Sequence, residues 1–191
     1  MKKCILIYLV AFAILTLAAC GTTGNVNPVN KTSTDGPLPP AEVEVREGDF
    51  VFKLYSEKDI YENGDIAVFA ELTYVGDEDS VEIYHAASPF YFPIEERTRG
   101  LEFPYGMDQP LIMTTLNKGE PFREEYGFSG GYSDNDTKEY VEFAQKLMEK
   151  RFPEGEYIIH GSADFYIENP EDIENQQDYK IRGDIGFKVV R

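Results

Sequence analysis

The sequence predicts an all-β sandwich with one α-helix inserted at about residues 136–151. From about residue 42 onward, short segments of alternating apolar and polar residues recur, and turns rich in Gly, Asn and Asp separate them. Alternation with a period of two is typical of half-buried strands, and many short strands at regular spacing favour a sandwich. The predicted domain therefore spans residues 42–191.

Each strand is predicted from its own alternation. In residues 50–56, Phe50, Phe52 and Leu54 share one face. Further strands are predicted at residues 66–74, 80–85, 90–94, 111–116, 121–128, 155–167 and 180–190. Clusters of Gly, Asn and Asp predict turns at residues 62–65, 76–79 and 117–120.

One segment follows helical spacing instead. Tyr140, Ala144 and Leu147 recur at intervals of three or four residues. Asp136 stands where a capping residue begins a helix, and Pro153 stands where a helix ends. Because an apolar helical stripe is usually buried, we expect this helix to cover one end of the sandwich.

The first twenty residues have the three zones of a secretory signal. Lys2 and Lys3 form a positive start, residues 5–17 are apolar and uncharged, and the small residues Ala18 and Ala19 follow. The apolar stretch is shorter than the roughly 20 residues that a bilayer-spanning helix needs. We therefore predict a removable signal peptide at residues 1–19.

The run Leu17-Ala18-Ala19-Cys20 resembles the lipobox of bacterial lipoproteins. The resemblance implies that the Cys20 thiol receives a diacylglyceryl group and that the signal is cleaved before this residue. Two acyl chains hold a protein stably at a membrane, whereas one holds it only marginally. The expected location is the cell membrane, where the chain is anchored by its lipid and faces outside the cytoplasm.

Residues 20–41 are predicted to be the lipidated N-terminus and a flexible linker. The sequence from residue 21 to residue 40, GTTGNVNPVNKTSTDGPLPP, has almost no large apolar residue. Such a composition cannot bury enough surface to order itself. A flexible chain of this length would hold the domain about 25 Å from its anchor.

The charge balance and the cysteines exclude several functions. The chain has 18 Lys and Arg against 35 Asp and Glu, a net charge of −17, which argues against a nucleic-acid partner. Loss of Lys2 and Lys3 with the signal would leave 16 − 35 = −19. Cys4 would be lost as well, so the mature chain would have no disulfide, zinc finger or thiol nucleophile.

From Phe50 onward the chain resembles uncharacterised lipoproteins of Gram-positive bacilli that carry one immunoglobulin-like domain. The resemblance rests on four segments, Tyr61-Glu62-Asn63-Gly64, Leu72-Thr73-Tyr74-Val75-Gly76, His85-Ala86-Ala87-Ser88-Pro89-Phe90 and Gly155-Glu156-Tyr157. It implies an immunoglobulin-like β-sandwich and brings no known activity.

A weaker resemblance is to the intracellular proteinase inhibitor family, which is also a small β-sandwich. It rests on Leu116-Asn117-Lys118-Gly119-Glu120 and on Pro153-Glu154-Gly155-Glu156-Tyr157. The secretion signal of this chain departs from that intracellular family. The resemblance implies an inhibitor as an alternative function.

The candidate catalytic and metal-binding residues do not form a recognisable site. His160, Ser162 and Asp164 share one strand face, but residues two apart on a strand lie about 7 Å apart, and a nucleophile and its base must lie within about 3 Å. The loop from Asp134 begins like an EF-hand and then lacks its glycine and its final glutamate, because Gln145 stands there. No catalytic residue, metal site or cofactor is predicted, and the chain is not expected to be an enzyme.

The candidate partner-binding residues are Arg97, Arg99 and Tyr105. The two arginines stand out in this acidic chain, and they lie near Tyr105 in a segment rich in Phe and Tyr. Exposed Tyr and Arg are frequent at protein interfaces.

The expected function is that of a non-enzymatic protein-binding or modulating module. The expected partner is an envelope or extracellular protein. Two alternatives remain open, an extracytoplasmic proteinase inhibitor and a small-ligand or calcium-binding lipoprotein.

The lipid on Cys20 can be tested directly. Cells that express the chain and are fed radiolabelled palmitate are expected to label it, and Cys20→Ala is expected to abolish the label because the acceptor thiol is gone. Cys4→Ala is the matched control and should keep the label. An unlabelled wild-type chain, or undiminished label in Cys20→Ala, would contradict the prediction.

Overall fold

A computed structural model of the chain describes residues 36–169 and 172–191. The predicted signal peptide, the lipid attachment at Cys20 and most of the predicted linker lie outside the described residues. Among the residues that are described, no helix combines the length and the apolarity needed to span a bilayer.

The described residues form twelve strands and one helix. In chain order these are β1 (Glu42–Glu47), β2 (Phe50–Ser56), β3 (Ile60–Glu62), β4 (Val68–Tyr74), β5 (Ser80–His85), β6 (Phe90–Tyr91), β7 (Ile94–Glu96), β8 (Leu101–Phe103), β9 (Ile112–Asn117), β10 (Pro121–Glu125), α1 (Lys138–Met148), β11 (Gly155–Asn169) and β12 (Asp172–Val190). The prediction of an all-β sandwich with one inserted helix is confirmed.

The strands divide into two sheets. The first sheet has the order β1-β2-β4-β10, with neighbouring strands antiparallel. The second has the order β3-β12-β11-β5-β9. Three short strands complete it, because β6 and β7 pair with β11 and β8 pairs with β7. β11 therefore meets β7, β6 and β5 in turn along one edge and β12 along the other.

The hairpin of β11 and β12 brings two glycines opposite each other at the centre of the sandwich. Gly161 pairs with Gly183 in the register of the two strands. A Cβ atom at Gly161 would lie 2.6 Å from Leu54 Cδ2, and one at Gly183 would lie 2.6 Å from Val43 Cγ1. The missing side chains therefore make room for residues of β1 and β2, which face this hairpin from the first sheet.

The core between the sheets is aromatic. Tyr157 and Phe187 stack with centroids 5.4 Å apart, and Phe152 packs against Tyr157 at 5.3 Å. The Tyr157 hydroxyl donates to the Pro153 carbonyl at 2.6 Å, so its polar atom is satisfied although the ring is buried. Burial raises the pKa of Tyr157, so this group stays protonated.

The helix begins later than the sequence predicts. Its N-cap is Thr137, whose hydroxyl accepts a hydrogen bond from the Tyr140 amide at 3.2 Å. The predicted cap, Asp136, instead accepts from the Ser133 amide at 2.6 Å, because it closes the preceding turn. The buried side chains of the helix are Phe143, Ala144 and Leu147, and Met148 is exposed.

Most predicted strands are confirmed, with differences at short or interrupted segments. The predicted strand at residues 90–94 is two strands, β6 and β7, and Pro93 separates them because it has no amide hydrogen for the ladder. The sequence analysis missed β1, β3 and β8. β3 and β8 have three residues each, too few to show a period of two.

A turn glycine supplies a stability test. Gly64 (φ +75°) and Gly100 (φ +70°) both have a backbone conformation that side chains disfavour, but a methyl group at Gly64 would overlap the Phe152 carbonyl oxygen, and one at Gly100 would meet nothing. We expect Gly64→Ala to lower the free energy of unfolding by more than ~2 kcal/mol and Gly100→Ala by ~1 kcal/mol. Urea denaturation measures both, and equal losses would contradict the packing described for Gly64.

Candidate functional site

The outer face of the second sheet has a groove, which we call the outer-face groove. It consists of two cavities of about 660 and about 480 Å³ that share Tyr91 and Lys180 in their walls. The larger cavity lies over the middle of the β11–β12 hairpin, and the smaller one reaches β5 and the segment before β9. The larger cavity is lined by Tyr91, His160, Ser162, Lys180, Arg182 and Asp184, among others. The smaller cavity is lined by Tyr84, His85, Gln109, Leu111, Asp164 and Tyr166, among others.

The alternation of β11 and β12 explains which side chains face this groove. Gly161 and Ala163 face the first sheet, so His160, Ser162 and Asp164 face outward between them. The cross-strand partners of these three residues are Asp184, Arg182 and Lys180. Side chains directly opposite on antiparallel strands are close enough to interact, so the groove floor is a ladder of polar pairs.

Two of these pairs are bonded within the chain. His160 lies between two carboxylates, with its Nδ1 3.0 Å from Asp184 Oδ1 and its Nε2 3.4 Å from Glu95 Oε2. The Lys180 ammonium donates to Asp164 Oδ2. The other oxygen of Asp164, Oδ1, is buried and has no hydrogen-bond partner among the described residues.

The third pair, Ser162 and Arg182, is not bonded. No hydrogen bond or ion pair joins either side chain to another described residue. Tyr91 of β6 lies on the other side of Ser162 in the register of the sheet. Ser162 is only 7% exposed, whereas Arg182 is exposed. The Ser162 hydroxyl and the Arg182 guanidinium are therefore unused hydrogen-bond donors that face the groove.

The smaller cavity ends in an apolar and aromatic surface. The rings of Tyr84 and Tyr166 stack with centroids 5.1 Å apart and planes 12° from parallel. Beside them three consecutive residues are exposed, Leu111 by 71%, Ile112 by 37% and Met113 by 52%. Ile112 and Met113 belong to β9, the edge strand of the sheet.

His85 forms a wall of the smaller cavity and is neutral at pH 7. Its Nδ1 lies 2.9 Å from the Ala86 carbonyl oxygen and its Nε2 lies 2.8 Å from Thr114 Oγ1. Because a carbonyl only accepts hydrogen bonds, Nδ1 carries the proton and Nε2 accepts from the threonine hydroxyl. Burial lowers the pKa of His85, which favours the uncharged ring.

The predicted partner-binding residue Arg99 has a structural task. Glu96 is fully buried, and its carboxylate accepts hydrogen bonds from the amides of Thr98 (3.1 Å) and Arg99 (2.8 Å). The Arg99 guanidinium lies 3.1 Å from Glu96 Oε1 and donates to the Glu154 carbonyl at 3.1 Å. Arg99 therefore neutralises a buried charge.

The other two predicted partner-binding residues also have contacts within the chain. Arg97 donates to the Gly36 carbonyl at 2.9 Å. Tyr105 is half-buried and packs edge-on against Phe92 and Tyr91. Burial, followed by the charge of Glu124, raises the pKa of Tyr105. A partner contact through these residues stays a prediction.

The other candidates from the sequence have local partners. Asp136, in the loop that begins like an EF-hand, bonds to Ser133, as described above. In the part of the chain that is described, no group of three or more His, Cys, Asp or Glu side chains is arranged to hold a metal ion.

Comparisons with known proteins give no match, since no family model, curated protein or solved structure is similar to this chain. Its function is therefore argued from its own residues. The sequence analysis missed the outer-face groove. The signal for it was present, because Lys180 and Arg182 alternate with buried Ile181 and so share the face away from the core.

The structural task of Arg99 can be tested against Arg97. Arg99→Gln leaves the buried Glu96 carboxylate without its cation, and we expect a loss of about 1–3 kcal/mol in the free energy of unfolding, since solvent reaches part of the arginine. Arg97→Gln is expected to change it by less than about 0.5 kcal/mol. Denaturant unfolding of both variants measures the difference, and equal effects would refute the pairing.

Proposed function

We propose that this chain is a lipid-anchored extracytoplasmic protein whose β-sandwich binds a protein partner without catalysing a reaction. The proposal for the anchor rests on the segment that ends at Cys20. The proposal for binding rests on one observation, the exposed apolar edge of the second sheet at Leu111, Ile112 and Met113.

This edge has an apolar surface on the outer face of the sheet. Leu111 and Met113, two residues apart, lie on the side of Tyr84, and the Tyr84–Tyr166 stack extends their surface across β5 and β11, whereas exposed Ile112 is paired with His85 and points to the opposite face. Single exposed apolar residues are normal on proteins, whereas contiguous apolar patches mark interaction sites. The apolar patch therefore supports a partner that buries it.

The backbone of β9 supports the same proposal. Among the described strands β9 pairs with β5 alone, so its other edge is open to an extended segment of a partner. The edge strands of the first sheet differ, because β1 (EVEVRE) and β10 (PFREE) carry the charges and the proline that discourage edge pairing. β9 (IMTTLN) has no charge.

The proposed anchor and linker suit such a contact. The linker predicted from the sequence, about 20 residues long, would give the domain a reach of about 25 Å from the membrane surface. A tethered domain meets other envelope proteins at a high effective concentration, so a modest contact area is sufficient for binding.

Cross-linking in intact cells tests the proposal. The full chain is expressed in its wild-type form and as Leu111→Lys/Met113→Lys, cross-linked in the envelope, and recovered for identification of attached proteins. We expect the wild type to recover one reproducible partner and the double variant to lose it, because charged side chains cannot be buried in an apolar contact.

Met148→Lys is the matched control. Met148 is an exposed apolar residue on α1, away from β9, so this variant should retain the partner. If the wild type recovers no reproducible partner, or if the double variant recovers it as well as the control does, the proposed function is wrong.

A further inference from the structure

Arg182 is an unpaired cation in a strongly acidic protein. The chain has 35 acidic and 18 basic residues, and about half of the described Lys and Arg side chains form an ion pair with a carboxylate. The two other cations on the outer face of β12 are paired with carboxylates, Lys180 with Asp164 and Lys188 with Glu156. Arg182 has neither an ion pair nor a side-chain hydrogen bond to any described residue. The N–H groups of its guanidinium are therefore free to donate hydrogen bonds to a ligand in the groove.

Ser162 supplies a second, independent observation at the same place. It lies directly opposite Arg182 in the register of β11 and β12, and its side chain faces the larger cavity. Although the residue is only 7% exposed, its hydroxyl has no hydrogen-bond partner among the described residues. The hydroxyl oxygen itself is not fully enclosed, so among the described residues it stays open to the cavity and can donate to a ligand there.

We propose that Arg182 and Ser162 form a binding site for a carboxylate group. The planar guanidinium donates two parallel hydrogen bonds to the two oxygens of a carboxylate, and the serine hydroxyl donates a further one. Tyr91 lies beside Ser162 and gives the remainder of the ligand an aromatic wall. The cavity of about 660 Å³ accommodates a small organic acid or the C-terminal end of a peptide.

The surrounding charges favour a ligand with a single negative charge. Asp164 is neutralised by Lys180, and Asp184 is bonded to His160. Arg182 is thus the one charge of this row without a partner among the described residues. A monoanion balances it, whereas a phosphate group, largely dianionic at neutral pH, would add a repelled charge to a chain of net charge −17.

This inference goes beyond the proposed protein contact and does not depend on it. The carboxylate site lies over the middle of the hairpin, whereas the apolar patch lies at β9. The variants that test one leave the other unchanged.

NMR titration of the full ¹⁵N-labelled chain in detergent micelles tests the site. The probes are benzoate, its uncharged counterpart benzamide, and inorganic phosphate. At pH 8, where inorganic phosphate is mostly a dianion, we expect benzoate to shift the resonances of Ser162 and Arg182 in a saturable way. Benzamide, which has no charge, and phosphate, which has a second negative charge, are expected to bind at least about tenfold more weakly.

Two variants and a control connect the shifts to the site. Arg182→Gln is expected to raise the dissociation constant for benzoate at least about tenfold, and Ser162→Ala about threefold. Arg46→Gln is the matched control, since Arg46 is an exposed arginine of β1 that forms no ion pair with a described residue, and it should leave the constant unchanged. Thermal unfolding of each variant shows that the fold is retained.

Several results would overturn the inference. These are benzoate shifts that do not saturate or that spread over the surface, benzamide or phosphate binding as tightly as benzoate, and Arg182→Gln binding like Arg46→Gln. A peptide with a free C-terminus and the same peptide with an amidated C-terminus then separate the two sources of the carboxylate. Tighter binding of the free peptide than of benzoate indicates a polypeptide end, and the reverse indicates a small organic acid.

Discussion

The close approach of the two sheets at Gly161 and Gly183 is the constraint on which the rest of the structure depends. These two residues face each other across the β11–β12 hairpin, and the space of their missing side chains is taken by Leu54 and Val43. A larger residue at either glycine would have to displace the Leu54 or the Val43 side chain from its place in the core, which disturbs the packing between the sheets. Because β11 also pairs with β5, β6 and β7, a shift of this hairpin would move the whole second sheet.

The same Gly161–Gly183 pair determines which side chains face outward from the second sheet. Because Gly161 and Gly183 face inward, their neighbours along each strand must face outward. These neighbours are His160 and Ser162 on β11, and Arg182 and Asp184 on β12. The backbones of the two glycines themselves line the larger cavity. The packing requirement inside and the polar groove outside are therefore two consequences of one strand register, and a slip of one residue would exchange the two faces.

The sequence predicts the long strands well, because residues such as Phe50, Phe52 and Leu54 are buried on one face only and so alternate visibly. It predicts short pieces poorly, since three residues contain too little of a period. It also cannot show the partner of Arg99 within the chain. An arginine in an acidic chain suggests a surface contact, and its actual partner, the buried Glu96, is revealed only when β7 and the turn after it are placed. The floor of the groove, one hairpin, did leave a signal in the sequence, but its walls did not, because Tyr84 and Tyr91 come from strands much earlier in the chain.

The acidity of the chain and an anion site in the groove are compatible because they act over different distances. A net charge of −17 repels anions at long range, but at physiological salt this field decays over about 8 Å. Within the groove the nearest groups decide, and there Lys180 and His160 hold the neighbouring carboxylates. A small monoanion that reaches Arg182 therefore meets attraction, whereas an extended polyanion would still be repelled by the surrounding surface. An open arginine in the groove of an acidic domain thus selects for ligands that have a single negative charge and a planar pair of oxygens to match the guanidinium.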